Sequence, residues 1–512
     1  MHTGWKPSLL TQPRRRMTRK AAAYDANGQD PPAAHRGQPS ARAESLLLVC
    51  VVVGVLLAVG QSIHEVRIPY QIDSGEGVVL EGAGQIVHGQ RLYPRADQFP
   101  YPMRVYGPLA YGMVAIPVEL GGVNFLWPRV LVLGCAIFSG FCVAELLRRW
   151  TGSWRIGFIF GAGFLVLPIT RPWLYVLRVD FIGLAFTLAG LLVFVRSPRR
   201  WPWSALLFGA ALFCKVSLIA APAVVFICLL AENRRSALAF LAWLAALCMG
   251  VFAVCEIRTH GWFAFHMFGT HPDRYLLKQF VLLAGLVVVS ALITFVFAVI
   301  YVAREFVQRH VSVAGVYLPA TLLTSLTAGK LGATTNHFLE FLAAGSLAAG
   351  LGYWEMKRDK HRFYGVLSGG LAATLALAAV LQTRPSTWPD SDLTQCGEAY
   401  RYIANVPGQR ILSENVGALL VSRKPVLIAD PFPYTQLVQN AGWPDDQLIG
   451  LIKSHYFEAI VLGGEASTLG EGEDRPWPAG VLQAIAQDYR VSKRFDCRRA
   501  SVMLEPAGNS RR

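Results

Sequence analysis

Runs of roughly 15–23 apolar residues recur along this chain with short clusters of arginine and lysine between them, and about 20 such residues make a helix long enough to cross a hydrocarbon core about 30 Å thick. That pattern constrains the fold more than any single motif: the chain is expected to be an α-helical polytopic membrane protein. Of its 512 residues, 53% are hydrophobic and only 16% charged. A formal net charge of +15 would suit a nucleic-acid binder. Here the cations lie between apolar runs, as cytoplasmic loops do under the positive-inside rule. The expected partner is therefore the lipid bilayer, with no nucleic acid.

The basic clusters also set a threading. Ser45–Ile63 leads out of a basic, polar segment containing "RRRMTRK", so residues 1–44 are expected to form a disordered cytoplasmic tail. This first run starts late and is long enough to span, so no cleavable signal is expected. Arg148/Arg149/Arg155, Arg196/Arg199/Arg200, Arg234/Arg235, Arg304/Arg309 and Lys357/Arg358/Lys360/Arg362 should all face the cytoplasm. Counting Pro108–Gly122 as a span would reverse every one of them, so this short stretch with Pro117 is read as re-entrant or interfacial. Trp201–Leu230 has basic flanks at both ends and is read as a hairpin of two helices turning near Cys214–Lys215. With Phe125–Leu147, Ile156–Ile169, Phe181–Val195, Ser236–Glu256, Phe280–Val302, Val311–Ala328, Phe338–Tyr353 and Phe363–Leu381, the expectation is about eleven transmembrane helices.

Residues 45–383 would then form the membrane domain, with a large first outer loop at 64–124. Residues 384–512 mix short apolar runs such as "PVLIADPF" and "FEAIVLGG" with polar helical patterns, which reads as a small soluble α/β domain. It would lie outside the cytoplasm, in the periplasm of a bacterium whose inner membrane holds the protein. Cys396 and Cys497 are the only cysteines of that segment. In an oxidising compartment they could pair, and the alternative is two buried thiols.

This threading gathers an unusual set of polar groups on the outer side. The first loop carries Asp73 and Glu76 in "QIDSGEG", then Glu81, Arg104 and Tyr106. "TRPWLYVLRVD" brings Arg178 and Asp180, the hairpin brings Lys215, and later loops supply His260, His266, His271, Asp273 and Lys330. "GATTNHFLE" adds Asn336, His337 and Glu340 at the mouth of a further span. Loop acids, surface histidines and interfacial ion pairs are the ordinary readings of each taken singly, and the histidine spacing matches no helical zinc pattern. Together they are carboxylates able to take a proton and cations able to hold a phosphate at the membrane edge, where polar groups are costly unless they serve a site. A flippase or transporter of lipid-linked sugar is the alternative, although such proteins place polar groups at mid-membrane on broken or repeated helices. A glycan polymerase or ligase, and a scaffold that only binds, complete the options.

The stretch "DSGEGVVLEGAGQIVHGQRLYP…YPMRVYGPLAY" resembles the first-loop signature of polytopic GT-C glycosyltransferases, of the kind found in protein O-mannosyltransferases, aminoarabinose transferases and other glycosyltransferase family 39-type membrane proteins. "RVDFIGLAFTLAGL", "LFCKVSLIAAPA" and "GATTNHFLEFLAAGSLAAG" resemble later elements of the same order, so the likeness extends over roughly residues 64–350. The chain departs from the family where an adjacent Asp-Glu pair opens to Asp73-Ser-Gly-Glu76, and where Tyr-Pro-Pro becomes Tyr106-Gly107-Pro108.

The resemblance implies a GT-C-like fold and a polyprenyl-phosphate-sugar donor, with a lipid, glycan or protein acceptor. It also implies an inverting single displacement on the extracytoplasmic face. By position it assigns the base to Asp73, with Glu76 as runner-up and Asp180 as second acid. Arg104, Tyr106, Arg178 and Lys215 would hold donor phosphate or sugar, with Asn336, His337 and Glu340 as further contacts. No metal ligand set is assigned; some relatives use a divalent metal and others none.

Overall fold

The computed structural model describes residues 39–383, 388–464, 475–497 and 500–508. Most of the stretch expected to be a disordered tail, residues 1–38, lies outside the described residues. From Pro39 the chain is helical: α1 (Pro39–Val66), α2 (Ser74–Val87), α3 (Pro108–Gly121), α4 (Leu126–Thr151), α5 (Trp154–Val166), α6 (Asp180–Arg196), α7 (Trp201–Leu212), α8 (Ala220–Glu232) and α9 (Arg234–Thr259). Leu277–Ser290 and Leu292–Val307, Val313–Ser325, Leu339–Arg358 and Tyr364–Gln382 complete the membrane part. Helix boundaries follow the local chemistry. For instance, α4 carries Arg148 and Arg149 in its last turn, where cations complement the dipole, and stops at Gly152 with φ 72°.

The expected eleven spans are not what the chain builds. Among the described residues four helices are long and apolar enough to cross a membrane: Ala43–Val66, Leu126–Thr151, Arg234–Thr259 and Tyr364–Gln382. Leu277–Ser290 with Leu292–Val307, bent by 94° at their junction, make a fifth if the pair counts as one span. The other apolar runs become shorter helices. The 13 residues of α5 and the 12 and 13 of α7 and α8 fall short of a span, since each rises only about 1.5 Å per residue. Val313–Ser325 contains Pro319 and passes into a 3-10 turn at Leu326. Leu339–Arg358 has 20 residues, but it is rich in glycine and alanine and is buried along most of its length. A hydropathy run records apolar surroundings without saying whether lipid or protein provides them, and this is why it overcounted. The stretch read as re-entrant, α3, is a continuous 14-residue helix that contains Pro117.

The C-terminal segment is a small α/β domain. Its four-stranded sheet has the order β1-β2-β4-β3, with strands β1 (Ile411–Ser413), β2 (Ala459–Leu462), β3 (Tyr489–Arg494) and β4 (Val502–Pro506). β1 runs parallel to β2, and the other pairings are antiparallel. β1 and β2 are buried throughout because helices cover both faces. Ile460 and Leu462 point to one core with Ile452, Val481 and Ile485, while Ala459 and Val461 point to another with Ile403, Ala418 and Leu419. On this second side Cys396 and Cys497, 101 residues apart, form a disulfide. Closing a loop of about 100 residues restricts the unfolded chain enough to stabilise the fold by about 4–5 kcal/mol.

Candidate functional site

The "QIDSGEG" stretch folds as a helix start. Asp73 is the N-cap of α2; its Oδ1 accepts from the Gly75 N–H at 2.9 Å, and the Glu76 carboxylate reaches back to the Asp73 N–H at 3.3 Å, a reciprocal capping box. The two acids then diverge. Glu76 is fully buried and receives two N–H bonds from Arg129 (2.8 and 2.7 Å), one from Leu177 N–H (2.8 Å) and one from Ile72 N–H (2.6 Å). Arg129, also fully buried, donates besides to the carbonyls of Ile68 and Tyr70. Glu76 is thus a pin that ties the first loop to α4 and to the segment that leads into α6.

Asp73 is less committed. Its side chain is 22% exposed, and its Oδ1 faces Arg178 Nη2 at 2.6 Å. Oδ2 accepts no hydrogen bond among the described residues. Arg178 in turn donates to the Tyr106 hydroxyl at 2.9 Å. Burial opposes the charge on Arg178, but Asp73, Tyr106 and Asp180 outweigh it and hold the guanidinium protonated. Gly75 makes this possible, because a Cβ there would overlap the Arg178 guanidinium.

A second polar group forms at the start of α6. Asp180 Oδ1 accepts from Lys215 Nζ at 2.6 Å and Oδ2 from Asn336 Nδ2 at 3.0 Å. Burial alone would raise this carboxyl, yet Lys215 and Asn336 prevail and keep it below its ordinary value. Lys215 lies in the turn between α7 and α8, while Asn336 and His337 lie in the 3-10 turn Thr335–Phe338 before Leu339–Arg358. Burial, reinforced by Lys215, pushes His337 down to about 3, so its ring is neutral; its Nδ1 pairs with the Thr327 hydroxyl at 3.0 Å. Glu340 accepts from the buried Tyr317 hydroxyl at 3.0 Å.

These groups border a cavity of about 450 Å³. Tyr106, Arg178, Lys215, Asn336 and His337 line it, together with Lys330, His271 and Asp273. Asp180 and Glu340 line a small recess that shares Lys215, Asn336 and His337 with the main cavity. Asp73 stands one side chain behind the wall, with Arg178 in front of it. Arg104 is elsewhere: fully buried, it pairs with Glu81, and its backbone N–H donates to His266 Nδ1 at 3.2 Å. His266 donates through Nε2 to the Pro94 carbonyl at 2.8 Å. His260 terminates α9 in a left-handed conformation, φ 53°.

Two kinds of participant escape the sequence reading. Arg129 is one, although a lone arginine inside the apolar run "NFLWPRVLVLG" is a costly residue that ought to draw attention. The C-terminal domain is the other: Asp430, Phe432 and Pro433 close the cavity from above. The Phe432 ring rests on Gly332 (φ +80°), where a Cβ would come within 2.7 Å of it. Nothing local in "IADPFPY" announces this contact. Among the described residues, no group of three or more His, Cys, Asp or Glu is placed to hold a metal ion.

No protein-family model matches the chain, and no curated protein sequence matches it. Solved structures do. ArnT from Cupriavidus metallidurans in the apo state superposes with a TM-score of 0.61 at 13% identity, covering 89% of this chain and 97% of ArnT. The crystal structure of the same protein bound to undecaprenyl phosphate gives 0.58 at 14%, covering 90% and 98%. An oligosaccharyltransferase from Archaeoglobus fulgidus gives 0.49 at 11%, covering 87% of this chain and 72% of its own. The chain thus shares the fold of ArnT along nearly its whole length.

Proposed function

We propose that this protein is a membrane glycosyltransferase that moves a sugar from a polyprenyl-phosphate carrier to a hydroxyl acceptor on the extracytoplasmic face. The observation that carries the reading is the arrangement of charge: Arg178, Lys215 and Lys330 face one cavity, and behind Arg178 lies a carboxylate, Asp73, with one oxygen uncommitted. ArnT, whose fold this chain shares, has been crystallised with undecaprenyl phosphate. A lipid phosphate of that class suits the cations here, arginine by bidentate pairing and lysine as a point charge.

In the proposed step Arg178 turns from Asp73 to the donor phosphate and opens the carboxylate to the cavity; the acceptor oxygen then attacks the anomeric carbon from the face opposite the phosphate, and its proton passes to Asp73 Oδ2. The bond between the anomeric carbon and the phosphate oxygen breaks with its electron pair going to the phosphate. The charge that develops on the leaving polyprenyl phosphate is met by Lys215 and Arg178. The configuration inverts. Glu76 has no role in proton transfer, because its oxygens are occupied by five N–H donors. Asp180 holds Lys215 and Asn336 in place, and the neutral His337 and Tyr106 offer hydrogen bonds to sugar hydroxyls. Arg104 supports the loop through Glu81 rather than meeting the donor.

The proposed orientation has the N-terminus in the cytoplasm and the C-terminal domain outside, in a bacterial inner membrane. Five spans, the bent pair counted as one, bring every basic cluster to the same side if α5 to α8 and Val313–Arg358 leave and return in pairs. The domain division at residues 45–383 and 384–512 belongs to this proposal. The test is transfer from polyprenyl-phosphate sugars by the purified protein. Asp73→Asn should lower kcat about a hundredfold to ten-thousandfold with folding intact. Near-normal turnover in that variant would remove Asp73 as the base, and an inactive wild type across such donors would remove the function.

A further inference from the structure

The C-terminal domain grips the first loop two residues before Asp73. Gln71, 2% exposed, accepts on Oε1 from the Gly417 N–H at 2.6 Å, and its own backbone N–H donates to the Tyr400 hydroxyl at 3.1 Å. That hydroxyl donates on to Asn415 Oδ1 at 3.3 Å, and Asn415 caps the helix Val416–Val421 through the Ala418 N–H at 2.9 Å. The Tyr400 ring meets Tyr70 edge-on, with centroids 4.8 Å apart. Tyr400 lies one helical turn beyond Cys396, so the disulfide braces the element that makes the contact.

The seam depends on two glycines. A Cβ at Gly417 would come within 2.6 Å of both Gln71 Oε1 and the Phe125 ring. One at Gly77, on α2, would overlap Gln71 Oε1 and come within 2.7 Å of the Gly417 nitrogen. The two backbones approach as closely as they do because neither position has a side chain.

We infer that the C-terminal domain is a positioning domain for the Asp73 loop, with Gln71 as the residue that transmits the position. This rests on Asp73 being the base of the proposed transfer. Asp73 stands between two clamps. On the membrane side, Glu76 and Arg129 fix the first turn of α2; on the domain side, Gly417 and Tyr400 fix Gln71. A domain that merely docked could bond to the loop anywhere. The domain also pairs with Tyr101 farther along the loop, but the bonds at Gln71 fix the residue that sets the chain direction into the N-cap, where an error of about 1 Å can cost about a hundredfold in rate.

The full-length protein in nanodiscs serves as the test, with Gly417→Ala forcing the seam apart and Gln71→Leu removing the acceptor oxygen without adding bulk at the crossing. Amide hydrogen exchange of residues 72–77 and the kinetics with a polyprenyl-phosphate sugar are measured together. Both variants should exchange about tenfold faster at these amides, and kcat should fall about tenfold or more while the donor KM stays within about twofold. Unchanged exchange in both variants overturns the inference whatever the activity. Faster exchange with wild-type kcat overturns it as well. A wild type that transfers no sugar, with exchange still faster in the variants, defeats the proposed function and the link to Asp73 catalysis, and leaves only the mechanical grip.

Discussion

Two acids three residues apart have opposite fates, and burial decides which. Glu76 sits in a saturated network with Arg129, whereas Asp73 keeps an open oxygen. Removing one partner of a buried ion pair leaves the other charge uncompensated, at a cost of about 3–5 kcal/mol. Glu76→Gln should therefore lower the thermal stability of the detergent-solubilised protein sharply, and Asp73→Asn by clearly less, because asparagine still caps α2 and Arg178 keeps Tyr106 and Asp180. A similar melting temperature for the two variants would contradict the division of labour. His266 supplies a pH test at the same scale. Burial lowers it from 6.5 to about 4, so between those values the unfolded chain binds a proton that the folded protein refuses. Stability should then decline as pH falls from about 6.5 towards 4, by up to about 1.4 kcal/mol per unit. His266→Gln, which keeps an acceptor for the Arg104 N–H, should flatten that decline in a melting series from pH 7 to pH 5.

Among the elements, the turn Tyr106-Gly107-Pro108 shows how sequence and structure divide the information. That Pro108 starts α3 agrees with proline's general preference for a first helical turn, which is visible in sequence. The demand on Gly107 is not: a Cβ there would run into the Phe213 carbonyl, against which the turn docks through Leu109 N–H to Phe213 O at 3.2 Å. Gly107→Ala should therefore push Tyr106 away from Arg178 and Lys215, lowering turnover about tenfold or more. Activity equal to wild type would show that the turn tolerates displacement. The same division explains the span count. Composition identified which stretches are apolar, and the charge-based threading placed Asp180, Lys215, Asn336 and His337 among the many polar groups of the outer loops. It could not distinguish a 13-residue helix packed in protein from a full crossing. Nor could it find Gln71 or Phe432, whose importance comes from Gly417, 346 residues away from Gln71, and from Gly332 beneath Phe432; the lone Arg129 signalled only that a buried partner must exist, not that it is Glu76.

For the whole molecule, the site is assembled from the first loop, four helix junctions and the C-terminal domain, which holds the loop at two places. Besides Gln71, Tyr101 pairs its backbone with Leu427 and Ala429, its N–H donating at 3.0 Å and its carbonyl accepting at 3.3 Å. The short helices α7 and α8 have a consequence for the membrane itself. Twelve residues rise about 18 Å, so in the proposed orientation Lys215 lies on the order of 10 Å below the far edge of a core about 30 Å thick. Around such a sunken floor lipids must compress or tilt, a deformation that grows with acyl-chain length. Bilayer thickness then becomes an operating condition of the protein. Reconstituted into vesicles of increasing chain length, it should lose turnover as the membrane thickens, and a rate indifferent to thickness would place Lys215 at the surface instead. The protein would be working in a dimple of its own making.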